Sequence, residues 1–289
     1  MIAQNFEYST PNDLKEALAL LAGGKAKVLA GGMSLIPLMK LRLAAPDHLV
    51  DLRQVADLKG MREDHDGPFP MIRIGATVSH YEIESSPLLL SKCPLLAEVA
   101  SHIGDVQVRN MGTIGGSIAH ADPAADYPAA LVALEAQVRI SNAKGERTLA
   151  IDRFFIDALT TALEPGEIVR EIIVPTDSSS TGVSYQKMVQ PASGFAIVGA
   201  AARVRKQGGK VSFVRVGITG LASKAFRATG VEKLLEGTAG SAADVKKAAA
   251  VVADGVDANS DLSASAAYRR QMAKVFTARA LTQALSRTS

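Results

Sequence analysis

Two glycine-rich segments about eighty residues apart constrain this 289-residue chain more than any other feature. The first reads Ala30-Gly31-Gly32-Met33-Ser34. The second reads Asn110-Met111-Gly112-Thr113-Ile114-Gly115-Gly116-Ser117 and runs on through Ile118-Ala119-His120-Ala121-Asp122-Pro123-Ala124-Ala125-Asp126. Glycine permits φ > 0 and lets another group approach the main chain closely. Clustered free N–H groups form a concavity that binds anions. Each segment sets consecutive glycines beside a small hydroxyl residue, and an apolar run follows each. Together they predict two halves of one site for a phosphate-bearing ligand. Taken alone, Gly31-Gly32 reads equally well as a plain tight turn.

Other motifs are absent or weak. The first segment lacks the G-x-G-x-x-G spacing and the ribose-binding acid of a Rossmann turn, and it is not a P-loop. Neither Ser34 nor Ser117 sits in a G-x-S-x-G elbow. Asp122 and Asp126 could accept ligand hydrogen bonds or simply cap the turns beside them. A metal cluster of His120, Asp122 and Asp126 lacks a further ligand. The five histidines show no H-x-x-x-H spacing.

Composition removes several function classes. Net charge is only +3. The one dense basic run, Arg203-Val204-Arg205-Lys206 with Lys210, straddles a predicted hairpin and reads as a solvated turn, so nucleic acid is not an expected partner. No apolar run reaches eighteen residues, so no transmembrane segment is expected. The first residues show neither a basic nor an apolar signal region, and the cytoplasm is the expected location. Cys93 is the single cysteine, so the chain by itself holds no disulfide and ligates no iron–sulfur cluster or zinc knuckle. Cys93 precedes Pro94 in an apolar stretch and is expected to be a buried structural thiol. With no tryptophan and few aromatics, base-stacking platforms are not expected.

Helix and strand signals alternate early. Thr10 and Pro11 read as N-cap and first residue of a helix carrying Leu14, Leu18 and Leu21. Residues 27–30 and 48–52 read as strands, with Ser34 capping a short helix between them. Strands follow at 71–76, 136–140, 147–150 and 168–174. Ser79 is a predicted N-cap, 89–103 a helix, and 128–134 a short helix. The run 176–182 is the only linker by composition. Beyond it lie three predicted antiparallel strands, 183–189, 195–205 and 211–219, then helices over 225–235, 242–256 and 266–285. Tyr268, Met272, Val275 and Phe276 form the expected core stripe of the last helix.

The chain resembles the FAD-binding medium subunit of the molybdenum hydroxylases, the carbon monoxide dehydrogenase medium-chain group. The matching segments are residues 30–40, 48–52, 109–117 and 122–126, then Glu164-Pro165-Gly166-Glu167-Ile168, Tyr185-Gln186-Lys187 and Tyr268-Arg269-Arg270-Gln271-Met272-Ala273. The resemblance covers nearly the whole chain. It implies an α+β fold: a vanillyl-alcohol-oxidase-type (PCMH-type) FAD-binding domain over 1–176, with subdomains of about 1–55 and 56–176. A C-terminal domain over 177–289, with a three-stranded antiparallel sheet and helices, would follow.

It also implies cofactor-binding residues. Ala30, Gly31, Gly32, Met33 and Ser34, with Thr113, Ile114, Gly115, Gly116 and Ser117, would hold the FAD pyrophosphate through backbone N–H groups, and Leu35 and Ala119 belong to the same cofactor-binding set. Asp122 and Asp126, Ile168 and Val169, and Lys187 near the flavin ring complete the set with Phe195. Phe195 keeps the aromatic face, but not the hydroxyl, of a tyrosine found in some members. The FAD would be non-covalent, and no side chain is assigned general acid–base work. Molybdopterin and two [2Fe–2S] clusters would reside in a large and a small partner subunit, in a heterohexameric (αβγ)2 complex passing electrons to an external acceptor. The alternative is a stand-alone FAD-dependent oxidoreductase with its own substrate pocket. Non-flavin nucleotide binding by the glycine segments is a more distant one.

Overall fold

The alternation of helix and strand in the first fifty residues closes into a small parallel sheet. The computed structural model describes residues 2–288. His48–Asp51 is the central strand, flanked by Glu7–Ser9 and Ala26–Leu29, both parallel to it. The Leu14–Leu21 helix crosses over and buries Ala17, Leu18 and Leu21 against Val50, Leu52 and Leu58. Its N-cap is Asp13, whose carboxylate accepts the Glu16 N–H at 2.8 Å. The expected start at Thr10 is therefore three residues early, because Asp13 has both the extended backbone and the acceptor that a cap needs.

The second sheet is antiparallel. Its order is Met61–Asp64, Met71–Gly75, Ile168–Pro175, Gln137–Asn142 and Gly145–Ala150. Ile168–Pro175 lies at its centre, which explains its nearly unbroken apolar run. Arg170 and Glu171 interrupt it. Glu171 is ion-paired with Arg73 and Arg139 from the two adjacent strands and with Arg62 from the edge strand beyond.

The predicted helix over 89–103 is two helices, Pro87–Lys92 and Pro94–Ser101, parted at Cys93. Pro94 disfavours helical backbone at the residue before it. Cys93 is fully buried, and that burial pushes its thiol up to about 12. A thiol so placed is inert.

The third sheet carries one more strand than expected. Thr181–Val189, Ala196–Gln207 and Lys210–Thr219 are joined by a two-residue edge strand, Phe226–Arg227, where the sequence reads as helix. The Ala266–Ser286 helix covers one face, with Ala273, Phe276, Ala280 and Leu281 turned inward. Of the expected stripe, Phe276 is buried and Met272 packs against the core, but Tyr268 is exposed and Arg269 is buried in its place. Arg203 is not a solvated turn residue either. It is buried and pairs with Asp177 at 2.6 Å. Its guanidinium lies 5.2 Å from the centre of the Phe213 ring.

The Tyr127–Ala133 helix joins the two larger sheets. All seven of its residues are buried, as expected of a helix apolar on every side. Leu131 and Val132 each contribute roughly 1.5–3 kcal/mol of burial. Gly217 in the third sheet lets the helix approach closely, because a Cβ there would stand 2.0 Å from the Ala129 carbonyl oxygen.

A cleft between two glycine segments

The Ala26–Leu29 strand ends in the first glycine segment, and the Leu35–Lys40 helix leaves from it. Gly32 has φ +74°, a conformation few other residues adopt without strain. The reversed backbone leaves the N–H groups of residues 31–35 without a partner among the described residues. Ser34 makes no capping hydrogen bond, contrary to expectation. Five consecutive open donors are what an anion-binding concavity requires.

The second segment is built on the opposite principle. It is not a loop: Thr113 is the N-cap of an Ile114–His120 helix, accepting the Gly116 N–H on its hydroxyl at 3.1 Å. The Ile114 and Gly115 N–H groups donate to the Val78 and Ala76 carbonyls, and Ser117 N–H donates to Thr113. Four of the donors expected to face a phosphate are thus engaged inside the protein. What remains open is the Thr113 N–H together with the hydroxyls. The glycines here serve close packing. A Cβ on Gly115 would stand 2.5 Å from the Ala76 Cβ, and one on Gly112 2.5 Å from His80 Nε2.

The two segments touch. A Cβ on Gly31 would lie 2.0 Å from the Met111 carbonyl oxygen and 2.8 Å from Gly112 Cα. Between them opens a cleft of about 820 Å³. Ala30–Leu35 line one side of it, and Thr113, Gly115, Gly116, Ser117 and Ala119 another, with Asp122, Asp126, Ile168, Val169 and Phe195. Of the residues expected there, Ile114 and Lys187 are not in its wall. Ile114 is fully buried in the core. Lys187 is held beneath the wall by an ion pair.

That pair is the strongest electrostatic feature near the cleft. Lys187 Nζ lies 3.0 Å from both oxygens of Asp126, and the two side chains are 2 % and 4 % exposed. Tyr185 Oη donates to Asp126 at 2.5 Å. Burial pushes the Asp126 carboxyl above its ordinary range, against the pull of Lys187 and Tyr185. Asp126 therefore does not cap the helix that follows it. Asp122 does shape its own turn, accepting the Ala124 N–H at 2.8 Å.

Sequence reasoning missed His80, the 103–104 turn, the 159–166 stretch and Ser193-Gly194, all in the wall. His80 is buried, with no partner for Nδ1 and the Tyr127 ring 5.2 Å away. Desolvation, and then the Arg109 charge, push its pKa down to about 4, so it is neutral at pH 7. Nothing in its local sequence marks it, because its neighbours come from Gly112 and Tyr127. Among the described residues no three histidine, cysteine or acidic side chains converge to hold a metal ion. No helix among them is long and apolar enough to cross a membrane.

The cleft walls are mainly apolar, with open main-chain donors at the glycine turn. This suits a long ligand with apolar ends and an anionic middle. A flavin dinucleotide meets that description, and the residues present fit it.

Comparison with known proteins agrees. Residues 4–177 match the family model "FAD binding domain in molybdopterin dehydrogenase", and residues 183–284 match "CO dehydrogenase flavoprotein C-terminal domain". The chain is 40 % identical to the carbon monoxide dehydrogenase medium chain of Hydrogenophaga pseudoflava, over 99 % of both chains. It is 37 % identical to the glyceraldehyde dehydrogenase medium chain of Sulfolobus acidocaldarius, over 97 % of this chain and 98 % of that one. Among solved structures, carbon monoxide dehydrogenase from Hydrogenophaga pseudoflava superposes with a TM-score of 0.96 over 100 % of both chains, at 40 % identity.

Proposed function

This chain belongs to the family of FAD-binding medium subunits of the molybdenum hydroxylases, and from that premise we propose that the cleft between its glycine segments is the FAD site. The observation that carries this reading is the run of five open N–H groups over residues 31–35. They would hold the pyrophosphate, helped by the Thr113 N–H and the Thr113 and Ser117 hydroxyls. Ile168, Val169 and Phe195 would pack against the apolar parts. Ala119 and Asp122 would complete the wall. Asp126, also in the wall, would act by holding Lys187 in place.

When bound, the flavin supplies electron transfer between the iron–sulfur centres of a partner subunit and an external acceptor. This chain's own residues bind, orient and enclose it. We take attachment to be non-covalent, because neither 30–34 nor 110–117 contains a cysteine or histidine. We place the division between FAD-binding and C-terminal parts at 176–177, and a lesser one near residue 55. Separate hydrophobic clusters around the first and third sheets support this.

The partners are a large molybdopterin subunit and a small [2Fe–2S] subunit. We propose two copies of each of the three chains, located in the cytoplasm. The substrate is chosen elsewhere: relatives named for carbon monoxide and for glyceraldehyde resemble this chain almost equally. The test is an untagged pull-down from native cells, with a visible spectrum and metal analysis. Flavin bands, iron, molybdenum and two further polypeptides are expected. A purified chain that retains no flavin even after FAD is added would overturn the reading.

A further inference from the structure

The loop between the first two strands of the third sheet, residues 190–195, is a compact strap. Gln190 N–H donates to the Phe195 carbonyl at 2.9 Å, and Gly194 N–H donates back to Gln190 at 2.9 Å. The Gln190 side chain accepts the Ala192 and Ser193 N–H groups. These bonds fix the shape of the strap but not its place. Its last three residues, Ser193, Gly194 and Phe195, line the cleft. Phe195 is 43 % exposed, a large aromatic face open at a cavity.

The strap's ends are held by the Val189–Ala196 pairing and by the Ala196 N–H bond to the Ala124 carbonyl, and its tip is held by Lys187. Its Nζ donates to the Gly194 carbonyl at 2.8 Å and to the His102 carbonyl at 2.7 Å, besides its pair with Asp126. One buried ammonium therefore joins three segments that are far apart in sequence. These are the strap, the end of the Pro94–Ser101 helix, and the start of the Tyr127–Ala133 helix. Its three protons are fully occupied by these acceptors, so none is left for a ligand. Where the bond pulls the strap in, a Cβ on Gly194 would lie 3.5 Å from Gly104 Cα. Behind the pair, Tyr185 fixes Asp126, and His102 packs edge-on to the Tyr185 ring at 5.7 Å.

We propose that Lys187 is a positioning residue rather than a cofactor ligand: it ties the 190–195 strap to the cleft wall and so fixes Phe195 beside the bound flavin. The proposal rests on the FAD reading of the cleft. Asp126 and Tyr185 form the anchor. A neutral residue of similar length removes the bond to Gly194 and frees the strap.

The chain contains no tryptophan, so Phe195→Trp introduces a single indole, excited selectively over the five tyrosines, as a reporter on the strap. In the full-length chain, with FAD content followed by absorbance, the indole at position 195 is expected to be quenched by bound FAD and to show high anisotropy. Adding Lys187→Met should relieve the quenching and lower the anisotropy while FAD remains bound. That single change leaves the Asp126 carboxylate buried and unpaired, which is strongly destabilising. A Lys187→Met/Asp126→Asn pair removes both charges together and decides the matter if the single variant misfolds. Unchanged quenching and anisotropy in the folded double variant would overturn the tie. Anisotropy is also read without FAD, so this arm decides the tie even if no variant binds flavin. That last result would count against the FAD reading instead.

Discussion

The two glycine segments have nearly the same composition and do opposite things. In the first, Gly32 at φ +74° turns the backbone so that five N–H groups stay open. In the second, none of Gly112, Gly115 and Gly116 adopts a positive φ, and their N–H groups or missing side chains are taken up by the protein itself. Under the proposed FAD reading, the first segment is the receptor and the second is the scaffold at its back, through the contact of Gly31 with Met111. Glycine content alone does not tell a binding loop from a packing contact; the fate of each N–H does.

The sharpest way to break this contrast is at the contact itself. Gly31→Ala places a methyl against a backbone carbonyl that cannot swing aside. FAD affinity should fall about a thousandfold, roughly 4 kcal/mol. Fluorescence titration of the purified chain measures it, and near-normal affinity would mean the two segments are not mechanically joined.

The second test is pH. His80 backs the second segment, donating its N–H to the Gly112 carbonyl at 3.0 Å. Its folded pKa of about 4 lies below the unfolded value of 6.5. Between those values the unfolded chain binds a proton that the folded chain refuses. Stability is therefore full above pH 6.5 and falls as pH drops towards 4, by about 3 kcal/mol from this group. Urea melts at pH 7.5 and 4.5 should show a smaller acid loss in His80→Gln than in the parent chain. An equal loss in both would remove His80 from the scaffold.

A third test separates the segments by what each substitution harms. Gly115→Ala gains helix propensity worth up to about 1 kcal/mol. Against this it overpacks Ala76 backbone atoms, at a cost of about 1–3 kcal/mol. The net effect should be lower stability, with FAD affinity falling less than after Gly31→Ala. If Gly115→Ala instead weakens FAD and leaves melting unchanged, the second segment is a receptor too.

The smallest effects lie in the hydroxyls. Thr113→Val removes a cap and should cost about 1 kcal/mol. Ser34→Ala removes none and should stay within about 0.5 kcal/mol in the ligand-free chain. Thermal melts of the two variants side by side would reverse that order if the assignment of caps is wrong.

Much of this was legible in the sequence. Apolar patterning gave most strands of the three sheets but missed the edge strands Glu7–Ser9 and Met61–Asp64, and the single Cys93 before Pro94 foretold an inert buried thiol. The open N–H groups of the first glycine segment follow from its local sequence, because Gly32 alone sets the turn. What stayed hidden depends on distant partners. Two glycines disguise the Ile114–His120 helix, whose first turn is held by Val78 and Ala76. Lys187 sits in an ordinary strand, and only the fold brings Asp126 under it. Arg203 looks like a solvated charge until Asp177 meets it. Phe226–Arg227 is too short to carry a pattern at all.

The burial of Cys93 has a bearing on oxidative wear. A flavin exposed to dioxygen is a source of peroxide, and peroxide attacks thiolates before other groups. This chain presents none, since its one thiol is enclosed and stays protonated. The most exposed methionines among the described residues are instead Met33 and Met111, one on each glycine segment. Thioether oxidation is repaired by reductases, so damage would strike the cofactor cradle first and in a form the cell can reverse.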